Sequence, residues 1–332
     1  MLPKLPRRSC SKPAPRSKSS SRRRFRRLTR INGPGVSRAV SRPVATLTVV
    51  TPRRVDPSNE LAVLEAMDDV MQKAYKGTSF RVGIDRFAAA QPDGLVVIES
   101  DGNVVGTGCC IAYPDGGFGW IGLVATLPGY QRRGIATAIT DYLGDVLAGH
   151  GCSSVLDASA SGGPLYERMG FADRGLTKVL GFAGERSGPT GGSERCVSMT
   201  ADDFEAIVEF DAVRFGGSRP ALLAKLVDQH PGRALLLRRH ETVVGYVVAQ
   251  EATLAPVIAD DAESLECLIE AALQLEWSSP PRINVPPESE HVDSLLALGF
   301  EPLRELRHMH RGIDALPGRR QRVAGLVSLG EG

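Results

Sequence analysis

An internal repeat is the feature that most constrains how this chain can fold. A hairpin with Val-Gly after its turn occurs twice, as VVGTG at residues 104–108 and VVGYV at residues 243–247. In each half the hairpin is followed by a helical segment, a strand and a short helix that ends in Gly-Phe, at 170–171 and 299–300. Repetition of this kind indicates two copies of one fold.

The order of the predicted elements indicates the α/β (α+β) class. In the first half a strand and a helix precede three antiparallel strands, and a helix, a strand, a short helix and a final strand follow. We therefore predict tandem folds, each a mixed, mostly antiparallel central sheet flanked by helices. The predicted boundaries are 46–180 and 196–315 for the two domains, 181–195 for a Gly- and Ser-rich linker, and 316–332 for a flexible tail.

Charge is distributed unevenly along the chain. Residues 1–45 hold 14 of the 40 Lys and Arg but none of the 38 Asp and Glu, which leaves a net charge of −12 for the rest. We predict a disordered basic tail there. Its RRRFRR run at 22–27 leaves three interpretations open: an inert tail produced by a start site further downstream, a transit peptide, or a contact with nucleic acid or membrane. The acidic remainder favours cationic small molecules over nucleic acid.

Hydropathy and cysteine usage exclude several classes of protein. No apolar run reaches the roughly 18 residues of a membrane span, so we expect a soluble, cytoplasmic protein without a membrane partner. The six cysteines form no C-x-x-C pair, and we therefore expect neither a disulfide framework nor a metal site. The adjacent Cys109 and Cys110 lie in a predicted strand and should point to opposite faces.

A strand, a loop and a helix start form the most informative segment. Strand GWIGLVA at 119–125 leads through TLPGY into Gln131, which opens the run QRRGIA. Unpaired backbone amides at a helix N-terminus lie at the positive end of the helix dipole, where a pyrophosphate binds. Gly134 lets a phosphate approach the backbone, since a Cβ would intrude. Arg132 and Arg133 add positive charge at the rim.

The residues VATLPGYQRRGIA at 124–136, followed by LYERMGF at 165–171, resemble motif A and the C-terminal helix of the GNAT acyltransferase superfamily. The family pattern Q/R-x-x-G-x-G/A is met by Gln131, Gly134 and Ala136. The second half is similar to the C-terminal GNAT-like domain of two-domain members. Residues 255–260 (APVIAD) stand where its loop would be needed, so this half is not expected to bind coenzyme A.

The resemblance implies that acetyl-CoA serves as co-substrate. The backbone of Val124, Ala125 and Thr126 would pair with the pantetheine arm as though it were an added strand. The pyrophosphate would lie on the amides of the loop and first helical turn, namely Arg132, Arg133, Gly134, Ile135 and Ala136.

Two residues are candidates for proton transfer. Tyr166 occupies the position where the family commonly has a tyrosine near the sulfur, and its phenol could protonate the departing thiolate; the alternative is a core tyrosine. Some relatives carry a glutamate on the strand before the loop, but Trp120–Val124 has no carboxylate. Asp157 is then the nearest candidate for the base. A water chain, or a substrate that arrives neutral, stays open as an alternative.

Two further groups of polar residues have competing interpretations. The carboxylates of Glu65, Asp68 and Asp69 could line an acceptor pocket or form a solvated helix face. His308 and His310 would point to one side of a strand, as a metal pair does, but no third ligand is apparent. We predict no metal.

These observations predict an N-acetyltransferase that moves an acetyl group from acetyl-CoA to a primary amine of a small molecule by direct attack. A secondary metabolite or an antibiotic fits this acceptor class. Two alternatives remain: a non-catalytic acyl-CoA-binding sensor, and a protein or peptide acetyltransferase.

Overall fold

The computed structural model describes residues 51–184 and 195–332. These residues belong to one compact unit with two sheets. The predicted basic tail at 1–45 lies outside the described residues, as does most of the predicted linker at 181–195. Within the described ranges, no helix is long and apolar enough to cross a membrane.

The first half contains six strands and four helices among its described residues. They are β1 (Arg53–Arg54), α1 (Leu61–Tyr75), α2 (Arg81–Ala90), β2 (Leu95–Ser100), β3 (Asn103–Tyr113), β4 (Phe118–Thr126), α3 (Ile135–Gly149), β5 (Ser153–Ala158), α4 (Gly163–Arg168) and β6 (Ala172–Phe182). Helix α2 was not predicted, because its two buried apolar residues, Ile84 and Phe87, are too few to show a helical period.

The second half follows the same order, as the repeat predicts. Its elements are β7 (Cys196–Ser198), α5 (Phe204–Phe215), α6 (Pro220–Gln229), β8 (Ala234–Arg239), β9 (Thr242–Ala249), β10 (Leu254–Ala259), α7 (Ala262–Leu273), β11 (Arg282–Val285), α8 (Val292–Ala297), β12 (Phe300–Arg311) and β13 (Val323–Gly325). Sheets flanked by helices confirm the predicted fold class.

The larger sheet contains strands from both predicted domains. The larger sheet has the order β1-β2-β3-β4-β5-β12-β6-β11. Strand β12 of the second half lies between β5 and β6 of the first and is antiparallel to both. Strand β11 pairs with the far edge of β6. Two strands of the second half therefore belong to the larger sheet, and β6 of the first half lies between them. The smaller sheet has the order β13-β10-β9-β8-β7.

The prediction of a flexible tail at 316–332 is wrong. Strand β13 pairs antiparallel with β10, and Val323, Leu326 and Val327 are buried. The short apolar stretch VAGLV shows no clear helical or strand periodicity. Its burial depends on pairing with β10, which the local sequence does not reveal.

Helices cover both faces of the larger sheet. Helices α1 and α2 share one apolar core with Trp120 and Val155, on what we call the α1–α2 face. Helix α3 packs on the opposite side, with Ile121 and Leu156 in its core, on what we call the α3–α4 face. Cys109 belongs to the first core and Cys110 to the second, so the two point to opposite faces as predicted.

Candidate active site

A gap between β4 and β5 is the central feature of the first half. The two parallel strands pair only from Phe118 opposite Ser153 to Trp120 opposite Val155. Beyond that point β4 runs on to Thr126 and β5 to Ala158 without pairing with each other. A bulge, with Leu123 at φ 52°, further redirects β4. The result, the β4–β5 gap, leaves one edge of β4 free of strand partners.

Helix α3 starts beside this gap with its first amides open. It has no side-chain cap, and its N-cap residue Gly134 has a left-handed φ of 83°. Arg132 is left-handed as well, with φ 63°. A Cβ built on Gly134 would meet no atom within 4 Å, so the space above it is open. Residues 131–134 are all exposed. The predicted loop therefore presents unpaired backbone N–H groups at the positive end of the helix dipole.

Arg133, in the same loop, is held away from these amides. Its guanidinium donates to the carbonyl oxygen of Gly129 at 3.0 Å and lies 5.0 Å from the centroid of the Tyr130 ring. Ile135 is buried under the loop, while Ala136 is partly exposed. The side chain of Arg133 thus braces the loop, and an anion would meet mainly backbone groups.

The three residues predicted to pair with pantetheine line the free edge of β4. Ala125 and Thr126 pair with β3 through their other edge. The carbonyl oxygen of Val124 already accepts a hydrogen bond from the hydroxyl of Tyr75, at 2.9 Å. No sequence signal pointed to Tyr75, because its partner lies 49 residues away. A bound strand-like ligand would have to take over this carbonyl.

Tyr166 lies on α4 and contacts the α3–α4 core. Its ring packs edge-on against Phe171, with centroids 5.8 Å apart. Burial raises the pKa of Tyr166, and the nearby Tyr75 phenol raises it further. The phenol therefore stays protonated at neutral pH, the state that a proton donor needs.

Asp157 lies on β5, two residues beyond the last residue paired with β4. Its side chain is completely buried and lies on the α1–α2 face, opposite to Tyr166. One carboxylate oxygen, Oδ1, accepts from the hydroxyl of Thr177 at 2.5 Å and is 3.0 Å from Nδ1 of His308. The other oxygen, Oδ2, has no hydrogen-bond partner among the described residues.

The carboxylates on α1 divide into two groups. Glu65 and Asp69 are exposed, and Asp69 pairs with Lys73 at 3.5 Å. Asp68 is buried and accepts from the hydroxyl of Ser79 and the amide of Phe80, at 2.7 and 2.6 Å. Asp68 therefore fixes the turn between α1 and α2, and the other two form a solvated helix face.

His308 and His310 face each other rather than a shared open position. Their Nε2 atoms are 2.8 Å apart, so one nitrogen of each ring is used by the other. In the part of the chain that the structure describes, no group of three His, Cys, Asp or Glu side chains could hold a metal ion.

The C-terminal residues contribute a contact that the sequence did not predict. A Cβ on Gly122 of β4 would lie 2.4 Å from the Cα of Gly330, so this segment covers the α1–α2 face of the strand. The adjacent Glu331 is buried, and both its oxygens accept from Arg86, at 2.7 and 2.8 Å. Glu331 thus brings a carboxylate near β4, but one neutralised by an ion pair.

The corresponding place in the second half is built differently. Helix α7 has a side-chain cap, in which Asp261 accepts from the amide of Ser264 at 2.8 Å. Strand β13 pairs with β10, and the amide of Leu326 donates to the carbonyl of Asn284 on β11 at 2.8 Å. The C-terminal segment therefore fills the space between β10 and β11.

Comparisons with known proteins agree with this architecture. The acetyltransferase (GNAT) family matches residues 62–171, and an acetyltransferase (GNAT) domain matches residues 207–325. An uncharacterised N-acetyltransferase of Bacillus subtilis, YitH, is 26% identical over 187 residues, which span 54% of this chain and 65% of that protein.

Two solved structures share the fold. One is a protein of Pyrococcus horikoshii provisionally assigned as an acetyltransferase, with a TM-score of 0.71 and 23% identity, over 85% of this chain and 96% of the other. The second is a tandem GNAT protein from the clavulanic acid biosynthesis pathway, with a TM-score of 0.54 and 16% identity, over 79% of this chain and 97% of the other.

Proposed function

This chain belongs to the GNAT acetyltransferase superfamily as a two-domain member, and from that premise we propose that it transfers an acetyl group from acetyl-CoA to a primary amine of a small molecule. The observation that carries the proposal is the uncapped start of α3, with Gly134 left-handed and open above, next to an unpaired edge of β4. A cytoplasmic location remains a prediction.

The first half binds the co-substrate in this proposal. The amides of residues 132–136 hold the pyrophosphate, because they are unpaired and lie at the positive end of α3. Gln131 precedes them in the exposed loop. The pantetheine arm pairs with β4 at Val124, Ala125 and Thr126, displacing the hydroxyl of Tyr75 from the Val124 carbonyl.

The reaction itself needs one acid and one base. The amine nitrogen attacks the thioester carbonyl carbon, the carbon–sulfur bond breaks, and the leaving thiolate takes a proton from Tyr166. The attacking nitrogen loses its proton to Oδ2 of Asp157, which has no other partner among the described residues. Tyr166 and Asp157 lie on opposite faces of the sheet, so the acid and the base do not compete for the same space.

Coverage of the α1–α2 face by other parts of the chain favours a small acceptor over a folded protein. Gly330 packs against Gly122 there, and helices α2 and α6 lie side by side above the sheet. The net acidic charge outside residues 1–45 attracts an amine that approaches as a cation. Such an amine releases one proton to solvent before its neutral nitrogen attacks, and Asp157 takes the second proton.

Calorimetric titration with coenzyme A, followed by a panel of amines with acetyl-CoA, tests this function. We expect saturable binding of one coenzyme A per chain, thiol release above the hydrolytic background, and the mass of one added acetyl group on an amine. Saturable binding with no turnover on any amine would support the sensor, and acetylated peptides without acetylated small amines would support the protein acetyltransferase. No binding of coenzyme A would end the proposal.

A further inference from the structure

A row of buried polar side chains crosses three strands behind Asp157. Thr177 comes from β6, Asp157 from β5, and His308 and His310 from β12. The hydroxyl of Thr177 and Nδ1 of His308 both reach Oδ1 of Asp157, and Nε2 of His310 lies 2.8 Å from Nε2 of His308. The side chain of His308 is completely buried, and its ring is tilted against that of Trp120 with the centroids 5.3 Å apart.

Counting hydrogens fixes the tautomer of each ring. An ionised carboxylate only accepts, so Nδ1 of His308 must carry its proton and donate to Asp157. The Nε2 of the neutral His308 ring is then an acceptor, and the proton between the two rings belongs to Nε2 of His310. Nδ1 of His310 is left without a proton. This atom indeed has no hydrogen-bond partner among the described residues.

The charges around His310 agree with a neutral ring. Burial is the main cause that lowers the pKa of His310 to about 4, and the neighbouring His308 contributes to the same shift. Arg320 and Arg174 act in the same direction, while Glu288 opposes them. Arg320 lies 3.4 Å from Glu288 and is almost fully buried. The ring of His310 therefore stays uncharged at neutral pH, as the tautomer assignment requires of it.

The two hydrogen-bond donors on Oδ1 determine which oxygen of Asp157 can accept a proton. They fix the plane of the carboxylate and occupy one oxygen, so that only Oδ2 remains to accept a further proton. Thr177 belongs to the first half, but His308 belongs to the second and reaches Asp157 only because β12 is inserted between β5 and β6.

We propose that His308, locked in its Nδ1–H tautomer by His310, is a positioning residue that holds Asp157 ready as the base. The inference rests on the proposed function, in which Asp157 takes the proton of the amine. The second half then completes the active site through β12 although it binds no cofactor itself.

Two substitutions of His308 separate positioning from packing. His308→Asn keeps an N–H group at the place of Nδ1, whereas His308→Gln moves it to the place of Nε2 and away from Asp157. We expect kcat of H308Q to fall about tenfold to a hundredfold with little change in KM for acetyl-CoA, and kcat of H308N to stay within about threefold. His150→Gln is the matched control, since His150 pairs with Asp93 at 2.9 Å in a partly exposed position near the far end of α3.

The pH profile gives a readout that a purely structural role would not move. In H308Q the ionised carboxylate of Asp157 loses a hydrogen-bond donor, which its protonated form does not need, so the pKa of Asp157 should rise. The acidic limb of the kcat profile should therefore move to higher pH. In H308N the donor is kept, and the limb should stay where it is. Other ionisable groups face this site, and each must be excluded as the cause of a moved limb. They are His308, His310, Glu288, Arg320 and Arg174. Equal losses in both variants with an unmoved limb would overturn the positioning role.

A measurement without turnover keeps this inference separate from the proposed function. Nitrogen-15 NMR of the histidines in the free protein should show His308 protonated at Nδ1 and His310 at Nε2. The reverse tautomers would overturn the inference even if the enzyme is active. Conversely, full activity of Asp157→Asn would remove Asp157 as the base and with it the positioning role, while coenzyme A binding would still support the transferase.

Discussion

The two halves share one order of elements but treat the same gap in opposite ways. In the first half, β4 and β5 part after three residue pairs, and α3 begins without a side-chain cap. In the second half, β13 pairs with β10, and Asp261 caps α7. A carboxylate at that helix start takes the amide and repels a phosphate. A strand and one acidic residue therefore close, in the second half, the gap that stays open in the first.

The contrast extends to the short helix that closes each half. Counting back from the shared Gly-Phe, the position of Tyr166 in the first half is taken by Leu295 in the second. Leu295 is fully buried and has no proton to donate. The second half instead contributes β12, and with it His308, to the sheet of the first. The two halves therefore differ at the closing helix as they do at the gap.

The strongest challenge to this comparison is Gly134→Trp. The large side chain would occupy the open space at the start of α3. A residue with a Cβ is also strained in the left-handed conformation that Gly134 adopts. With several charge-assisted bonds lost, we expect affinity for coenzyme A to fall by about 4 kcal/mol or more, roughly a thousandfold, as measured by calorimetry.

Asp261→Gly is the matched control in the second half. Because glycine is itself tolerated at an N-cap, losing the Asp261 side chain should cost only about 0.3 kcal/mol of stability. It should leave one coenzyme A per chain, because β13 still fills the second gap. A second bound coenzyme A in this variant, or normal binding by Gly134→Trp, would contradict the contrast between the halves.

Leu326→Ala tests whether the filled gap is a genuine part of the core. Leu326 follows β13 directly and is fully buried, so its truncation should lower the free energy of unfolding by about 2–5 kcal/mol. Leu303→Ala, at a side chain 56% exposed, should change it by no more than about 0.5 kcal/mol. Equal effects in urea titrations would mean that the segment is not anchored.

Tyr166→Phe sharpens the contrast at the closing helix. Removing the phenolic proton should lower kcat about a hundredfold and leave the affinity for coenzyme A unchanged, because the ring still packs against Phe171. Tyr142→Phe, on α3 and also partly buried, should turn over normally. Unchanged turnover in Tyr166→Phe would leave Tyr166 as a core residue.

Local patterns predicted the elements that carry the first half's site. The run SSVLDA gave β5 with its observed bounds, and the glycine-containing loop gave the start of α3. Partners far apart in sequence could not be predicted in this way. Strand β12 is visible as a strand, but no local pattern says that it lies between β5 and β6. Arg86 and Glu331 are 245 residues apart, and each by itself is typical of a solvated surface. The roles of Tyr166 and Asp157 stay predictions.

The smallest expected effect is on the stability of the protein at acidic pH, and here too the two halves differ. The histidines whose pKa is lowered, His230, His291 and His310, all belong to the second half. Burial is the main cause at each, and it lowers the pKa of His230 to about 4, helped by Arg86 and Arg233. A histidine in the unfolded chain takes up a proton at about pH 6.5, whereas His230 and His310 in the folded chain do so only near pH 4.

Stability should therefore be full above pH 6.5 and decline as the pH falls towards 4. In His230→Asn one of these groups is gone, so the urea midpoint should drop less between pH 7 and pH 5 than in the unchanged protein. His150→Asn, in the first half, should keep the full drop. Parallel pH dependence in His230→Asn and the unchanged protein would show that burial of His230 does not contribute. In that case the acid sensitivity of the second half would have to arise at His291 and at His310, which lies on β12.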